Sequence, residues 1–209
     1  MENQEERDHG RWVKVERSRS TGRKDNSDRK IYGKVKPRVS LFLREPYLMT
    51  DRAAGLVATL GLIPHPEGGY YGELYRSNAS VQPLDGRGTR AALTTIYFLL
   101  PGGAVSRWHR VQSDEVWHFY EGAPLDLWVA SPDGEQARQR RLGPLDAEQQ
   151  PVWTVPAGWW QAARSAGAYT LVGCTVAPGF DFSDFTLAAD QPPAAAALRD
   201  HHPLLAALL

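Results

Sequence analysis

The chain has one cysteine among its 209 residues and no run of about 18 apolar residues. A lone cysteine excludes an internal disulfide, and Cys174, in LVGCTV, is typical of a buried strand residue. The missing apolar run excludes a transmembrane helix, and the first residues lack the apolar core of a secretory signal. We therefore expect a cytoplasmic protein without a membrane partner.

Lysine is absent after Lys36, where the composition changes. The net charge of the whole chain is zero, but the charges are unevenly distributed. Residues 1–46 contain 13 Lys plus Arg and 8 Asp plus Glu, and the rest of the chain contains 11 Lys plus Arg and 16 Asp plus Glu. The 1–46 arm lacks apolar periodicity, and we expect either that it is disordered or that translation starts later, at Met49. Its mixed signs and the neutral to acidic body do not favour nucleic-acid binding.

Residues 50–190 consist of short apolar segments separated by turns, and this pattern predicts that they form the folded domain. Thr50 is a typical N-cap residue and Gly61 is a typical residue at a helix C-terminus, which predicts one short helix between them. From about Tyr70 onward, segments rich in β-branched and aromatic residues alternate with turns, while NASVQPLDGRGTR is predicted as a loop. This pattern predicts an all-β sandwich or barrel, followed by a helical tail over 191–209 that is interrupted near Pro203.

The polar stretch GAVSRWHRVQSDEVWHFYEG follows an apolar strand. His109 and Val111 share a strand face because alternate residues point the same way, and a short turn can bring Glu115 beside them. An imidazole and a carboxylate that converge inside a small barrel form a metal site, an acid–base pair or a structural hydrogen-bonded pair. The residue types alone leave these alternatives open.

The spacing of this stretch resembles the first motif of the cupin superfamily, G-x5-H-x-H-x3-E-x6-G, with Val111 at the position of the second histidine. The series HPEGGYY, HRVQSDEVWHFYEG and VPAGWWQAA is similar to the cupin-5 branch of uncharacterised RmlC-like cupins, over about residues 50–187. The resemblance implies a double-stranded β-helix, or jelly-roll barrel, with a ligand cavity in its mouth and pairing into a homodimer.

The second cupin motif departs from the family pattern, because Gln161 replaces the last histidine ligand and Ser165 the asparagine. His109 and Glu115 are all that remain of three histidines and one glutamate. Glutamine is a weak, neutral oxygen donor for transition metals. We therefore expect no tightly bound metal or other cofactor; a divalent metal, if bound, would use His109, Glu115 and Gln161.

The resemblance to metal-free cupin epimerases implies a function only by analogy of fold. By that analogy His109 is the base, Glu115 is its orienting partner, and Gln161 donates a hydrogen bond to the developing enolate of a small sugar-like or keto-acid ligand. The alternatives are a metal-dependent dioxygenase or isomerase and a non-catalytic ligand-binding module.

Further substrate-binding candidates surround these motifs. Strand alternation places His118 on the face opposite Glu115, so that it reaches a pocket only through a bulge. The other candidates are Glu67 in a glycine-rich turn, Trp159 beside Gln161, the strand residue Tyr97, and Arg76 as an anion clamp.

Overall fold

The structure is a computed structural model that describes residues 49–209, so the predictions for residues 1–46 lie outside the described part. Helix α1 (Asp51–Leu60) begins after Thr50, whose hydroxyl accepts a hydrogen bond from the Ala53 amide, and ends at Gly61 with φ of 63°. Both predicted caps are confirmed. None of the helices within the described residues is long and apolar enough to cross a membrane.

Within residues 49–209, thirteen strands follow α1 before helix α2 (Pro192–His201) and a final 3-10 turn (Pro203–Leu208). Pro203 separates the two helical pieces of the tail, as predicted. The strands are β1 Ile63–Pro64, β2 Tyr70–Arg76, β3 Ser80–Val81, β4 Arg90–Ala91, β5 Thr94–Pro101, β6 Val105–Val111, β7 Asp114–Gly122, β8 Leu125–Ala130, β9 Ala137–Leu142, β10 Val152–Val155, β11 Trp160–Ser165, β12 Tyr169–Ala177 and β13 Phe185–Leu187.

Eleven of these strands form two antiparallel sheets, which confirms the predicted jelly roll, and β3 and β4 pair only with each other. One sheet has the order β1-β2-β5-β12-β7-β10 and the other the order β13-β6-β11-β8-β9. The predicted loop after β2 contains the small β3–β4 hairpin, and β13 was not predicted either. Strands of two or three residues are too short to show an alternating pattern.

The main core lies between the two sheets, where Phe98, Trp117 and Val172 pack against Leu127. Helix α1 covers part of the outer face of the six-stranded sheet, and the tail packs through Leu198 on a second cluster that includes Trp108 and Trp160. The sheets are therefore covered on their outer faces at two places, while one end of the space between them stays open as a cavity.

Candidate functional site

A cavity of about 260 Å³ lies between the sheets, and both sheets contribute to its wall. Its inner part carries titratable side chains, its side wall is aromatic, and exposed charged residues stand at its outer end. The titratable residues are His65, Glu67, His109, Glu115 and Cys174; the aromatic residues are Tyr71, Phe98, Phe180, Phe182 and Phe185; the charged outer residues are Glu73, Arg76 and Asp181.

Strand alternation brings His109 and Glu115 to the cavity from opposite sheets. On β6, His109 and Val111 both line it, and on β7 Glu115 lines it while Trp117, two residues on, enters the core. His109 and Glu115 are both buried. The predicted convergence of these two side chains on one cavity is thus present in the structure.

The glycine turn before β2 delivers Glu67 to the same cavity. Gly68 has φ of 111°, and a Cβ atom there would overlap the carbonyl oxygen of Val105, so only glycine permits this close approach to β6. The Arg107 amide donates a hydrogen bond of 2.9 Å to the Glu67 carbonyl. The turn is held against β6, and the Glu67 side chain, 5% exposed, points inward beside His109.

His109 and Glu67 form a buried pair. The Nδ1 atom of His109 lies 2.7 Å from the Arg107 carbonyl oxygen, which can only accept, so Nδ1 carries a proton. The other ring nitrogen, Nε2, lies 3.2 Å from Glu67 Oε2. Two bare acceptors at this distance would repel each other. The contact therefore holds one further proton, shared between imidazole and carboxylate.

The surroundings of Glu67 favour its ionised form. Burial by itself raises the pKa of a carboxyl group, but the charge of His109 and hydrogen bonds from His65 and Ser106 outweigh it and lower the pKa of Glu67. The Ser106 hydroxyl donates to Glu67 Oε1 at 2.8 Å. Glu67 is therefore a weaker base than an ordinary carboxylate, and the proton in its contact with His109 Nε2 is held between the two groups.

Glu115 has a different environment. Burial raises its pKa, the nearby charge of Glu67 adds to that rise, and the opposing effects of His109 and of Gln161 do not cancel it. Gln161 donates from Nε2 to Glu115 Oε2 at 2.6 Å, and its Oε1 accepts from Trp117 Nε1 at 2.9 Å. Because an indole N–H can only donate, this orientation of the amide is determined. Glu115 is therefore a stronger base than an ordinary carboxylate.

Cys174 is buried in β12, as predicted, and it also lines the cavity. Burial and the charges of Glu115 and Glu67 raise the pKa of its thiol well above the ordinary value. The group is thus a neutral thiol rather than a thiolate nucleophile.

Several sequence-predicted residues lie elsewhere than expected. Gln161 bridges the sheets below the cavity without lining it, and Glu67 rather than Glu115 contacts the His109 ring. Three further candidates do not line the cavity either: Trp159 packs on the main core, Tyr97 packs in the cluster under α1, and His118 pairs with Gly173 on the far face of its strand.

Arg76 lines the outer end of the cavity but is not a free anion clamp. Its Nε and Nη2 atoms donate to the two carboxylate oxygens of Glu73 at 3.1 and 2.7 Å, and Nη1 donates to the Phe180 carbonyl at 3.1 Å. All three nitrogens are therefore engaged within the chain.

Sequence reasoning missed His65 and the aromatic segment after β12. His65 Nδ1 lies 3.4 Å from Glu67 Oε2, and its ring contacts Tyr71 and Phe182. Its place two residues before Glu67 in HPEGG was an available signal. Phe180, Phe182 and Phe185 reach the cavity only because the chain folds back after β12, and local sequence does not show that.

The motifs and this geometry agree with the comparison to known families. Residues 54–188 match the family described as Cupin superfamily (DUF985). The chain belongs to the cupin superfamily. An X-ray crystal structure of a protein from Shewanella oneidensis is 36% identical, covering 75% of this chain and 93% of that one, with a TM-score of 0.63. A hypothetical protein from Leishmania major is 34% identical, covering 75% and 95%, also with a TM-score of 0.63. No curated protein matches the sequence.

The cavity residues do not fit the metal set that many cupins use. Val111, which cannot ligate, occupies one ligand position, and the only oxygen of the Gln161 amide accepts from Trp117. His109 Nε2 is directed at Glu67. Over residues 49–209, no group of three or more His, Cys, Asp or Glu side chains is arranged to hold a metal ion.

Proposed function

We propose that the protein binds a small hydroxylated carbonyl compound, sugar-like or a keto acid, in this cavity and moves a proton at the carbon beside the carbonyl group. It would thus act as an isomerase or epimerase without a metal. The observation that carries the proposal is the buried contact of 3.2 Å between His109 Nε2 and Glu67 Oε2, with Glu115 in the same cavity.

Carboxyl groups whose pKa values are pushed apart are a sign of separate acid and base roles. The proton held in the contact between His109 Nε2 and Glu67 Oε2 makes His109 the acid. Glu115, with its raised pKa, is matched to the role of base near neutral pH. These assignments differ from those of the epimerase analogy, in which His109 is the base and Glu115 its orienting partner.

In the reaction, Glu115 takes the proton from the carbon beside the carbonyl, and the electrons of the C–H bond move toward the carbonyl oxygen. That oxygen takes the proton of His109 Nε2, which gives a neutral enediol. The hydroxyl group on the neighbouring carbon then returns a proton to His109 while Glu115 protonates the other carbon. Both residues regain their starting states, and the carbonyl group has moved by one carbon.

Deuterium incorporation tests this proposal directly. A panel of sugars and keto acids in D2O, followed by proton NMR, is expected to show exchange at the carbon beside the carbonyl for at least one compound. His109→Gln and Glu115→Gln should each slow exchange by about 100- to 10,000-fold, the usual contribution of a general acid or base.

His201→Gln is the matched control, because His201 is exposed on α2, which does not line the cavity. Exchange that proceeds equally in both cavity variants would refute the catalytic roles. A compound that stabilises the protein against heat without any exchange would instead indicate a non-catalytic binding module.

Chelation separates this proposal from a metal-dependent cupin reaction. Dialysis against EDTA is expected to change neither the exchange rate nor the melting temperature, and mass spectrometry should find the metal content far below one equivalent per chain. Loss of exchange in EDTA and its return on adding one divalent metal would contradict the proposed mechanism.

A further inference from the structure

The charges along the cavity determine which ligands it accepts. Its lining contains the carboxyl groups of Glu67, Glu73, Glu115 and Asp181 but only one guanidinium, that of Arg76. A carboxylate or phosphate ligand is normally held by arginine or lysine in paired hydrogen bonds. The availability of the Arg76 guanidinium therefore decides whether an anion can bind.

That guanidinium is already neutralised. Glu73 accepts from two of its nitrogens, and the Phe180 carbonyl accepts from the third. Because side chains of this pair are 45% and 41% exposed, the pair itself contributes little to folding stability. An incoming anion that used the two remaining N–H groups of Arg76 would still lie beside the Glu73 carboxylate and approach the Asp181 carboxylate, whose pKa is lowered by hydrogen bonds from Ser183.

The inner part of the cavity offers an anion no better partner. His109 Nε2 faces the Glu67 carboxyl group at 3.2 Å and its Nδ1 atom donates to the Arg107 carbonyl, so both ring nitrogens are engaged within the chain. His65 Nδ1 lies 3.3 Å from the Glu67 amide nitrogen and 3.4 Å from Glu67 Oε2, so that nitrogen is engaged as well. The neighbouring Arg90 lies outside the lining and donates to both oxygens of Asp184 at 2.7 Å.

The same lining suits an uncharged polyol. Carboxylates accept hydrogen bonds from hydroxyl groups, and aromatic faces contact the C–H surface of a sugar. The aromatic side chains line the same cavity as the acidic groups: Phe182 is half exposed, and Phe185 is stacked on the His109 ring at 5.4 Å. Among residues 49–209, hydrogen-bond acceptors and an apolar face thus line this cavity together, and its one guanidinium is paired with Glu73.

We infer that the ligand is an uncharged polyhydroxylated carbonyl compound, a neutral sugar, and that the Glu73–Arg76 pair together with Asp181 excludes carboxylates and phosphates. This inference rests on the proposed function for the carbonyl group of the ligand. It selects the sugar-like class over the keto-acid class that the resemblance leaves open.

Matched neutral and acidic probes test the selectivity. Ligand-observed NMR titrations would compare galactose with galacturonate, glucose with glucuronate, and dihydroxyacetone with pyruvate. At least one neutral member is expected to bind about tenfold tighter than its acid, the effect of one unfavourable charged contact. An acid that binds as tightly as its neutral counterpart, or binding by no neutral member, would overturn the inference.

Freeing Arg76 gives a second test. Glu73→Gln should raise the ratio of acid to neutral affinity by about tenfold, because the guanidinium becomes available to a ligand carboxylate. Glu121→Gln is the matched control, since Glu121 forms the same two-bond pair with exposed Arg52 on a part of the surface outside the cavity. An unchanged ratio in Glu73→Gln would show that the pair does not exclude anions.

The two proposals fail in different ways. A neutral sugar that binds selectively but exchanges no deuterium would leave the selectivity intact and refute the proton transfer. Deuterium exchange on a galacturonate or pyruvate probe, with no exchange on neutral sugars, would support the proton transfer and refute the selectivity.

Discussion

The buried carboxylates Asp126 and Asp184 differ from Glu67 and Glu115 in the partners that surround them. Asp184 accepts from Arg90 and Arg87, and Asp126 accepts from Arg141 at 2.7 Å. Arginine stays charged at every physiological pH, so these two aspartates have permanent counterions.

Glu67 and Glu115, in contrast, have partners that titrate or carry no charge. Glu67 faces histidines and a serine, and Glu115 faces an amide. Their protonation states can therefore change during a reaction, whereas that of Asp184 is held by its arginines. The comparison shows why the cavity, and not the most strongly paired acidic cluster, is the place for proton chemistry.

Removing the Glu67 charge should have the largest effect. Glu67→Gln keeps the size of the side chain but removes the carboxylate that contacts His109 Nε2 at 3.2 Å. We expect deuterium exchange to fall about 100-fold at neutral pH, because the proton of His109 Nε2 loses the group that holds it in place. The measurement is exchange by proton NMR beside thermal unfolding of the same samples. A fall in exchange that only follows a loss of folded protein would show that Glu67 maintains the shape of the cavity and nothing more.

Removing the Asp184 charge should affect stability rather than chemistry. Asp184→Asn leaves the mostly buried guanidinium groups of Arg87 and Arg90 without their shared counterion. We expect the free energy of unfolding in urea to fall by roughly 2–4 kcal/mol, the cost of breaking a buried ion pair from one side. Asp126→Asn should cost less, because its partner Arg141 is 42% exposed. If both variants lost the same free energy of unfolding, the exposure of the partner arginine would have no effect on the cost of removing the aspartate charge.

The smallest effect should be a dependence of stability on pH that has opposite signs for the two cavity carboxylates. Burial holds the folded-state pKa of Glu115 above the ordinary value of 4.5, so its stabilising contribution is complete below that value and is lost as pH rises through the folded pKa. Glu67 has a lowered folded pKa, so its contribution is present above 4.5 and is lost as pH falls through the folded pKa.

Thermal unfolding from about pH 2.5 to pH 8 measures this difference, because the Glu67 change lies below pH 4.5 and the Glu115 change above it. Relative to the native chain, Glu115→Gln should gain stability with rising pH, on the order of 1 kcal/mol for each unit by which the pKa is raised. Glu67→Gln should lose stability relative to the native chain as pH rises. Parallel melting curves for the two variants would contradict the opposite environments assigned to these residues.

The sequence by itself determined the jelly roll, the helix caps and the placement of His109 and Glu115 in one cavity. The reason is that each depends on local patterns: alternation on β6 and β7, a threonine and a glycine around α1, and motif spacing that resembles a known family. The sequence also shows that Val111 and Gln161 stand where the cupin motifs have histidines.

Only the tertiary structure decided which groups meet. The pairing of His109 with Glu67 depends on the glycine turn lying against β6, and the engagement of Arg76 depends on Phe180, which is 104 residues away in the chain. The orientation of Gln161 follows from Trp117 on the opposite sheet. These are contacts between distant segments, and no local periodicity encodes which side chain a buried polar group will find.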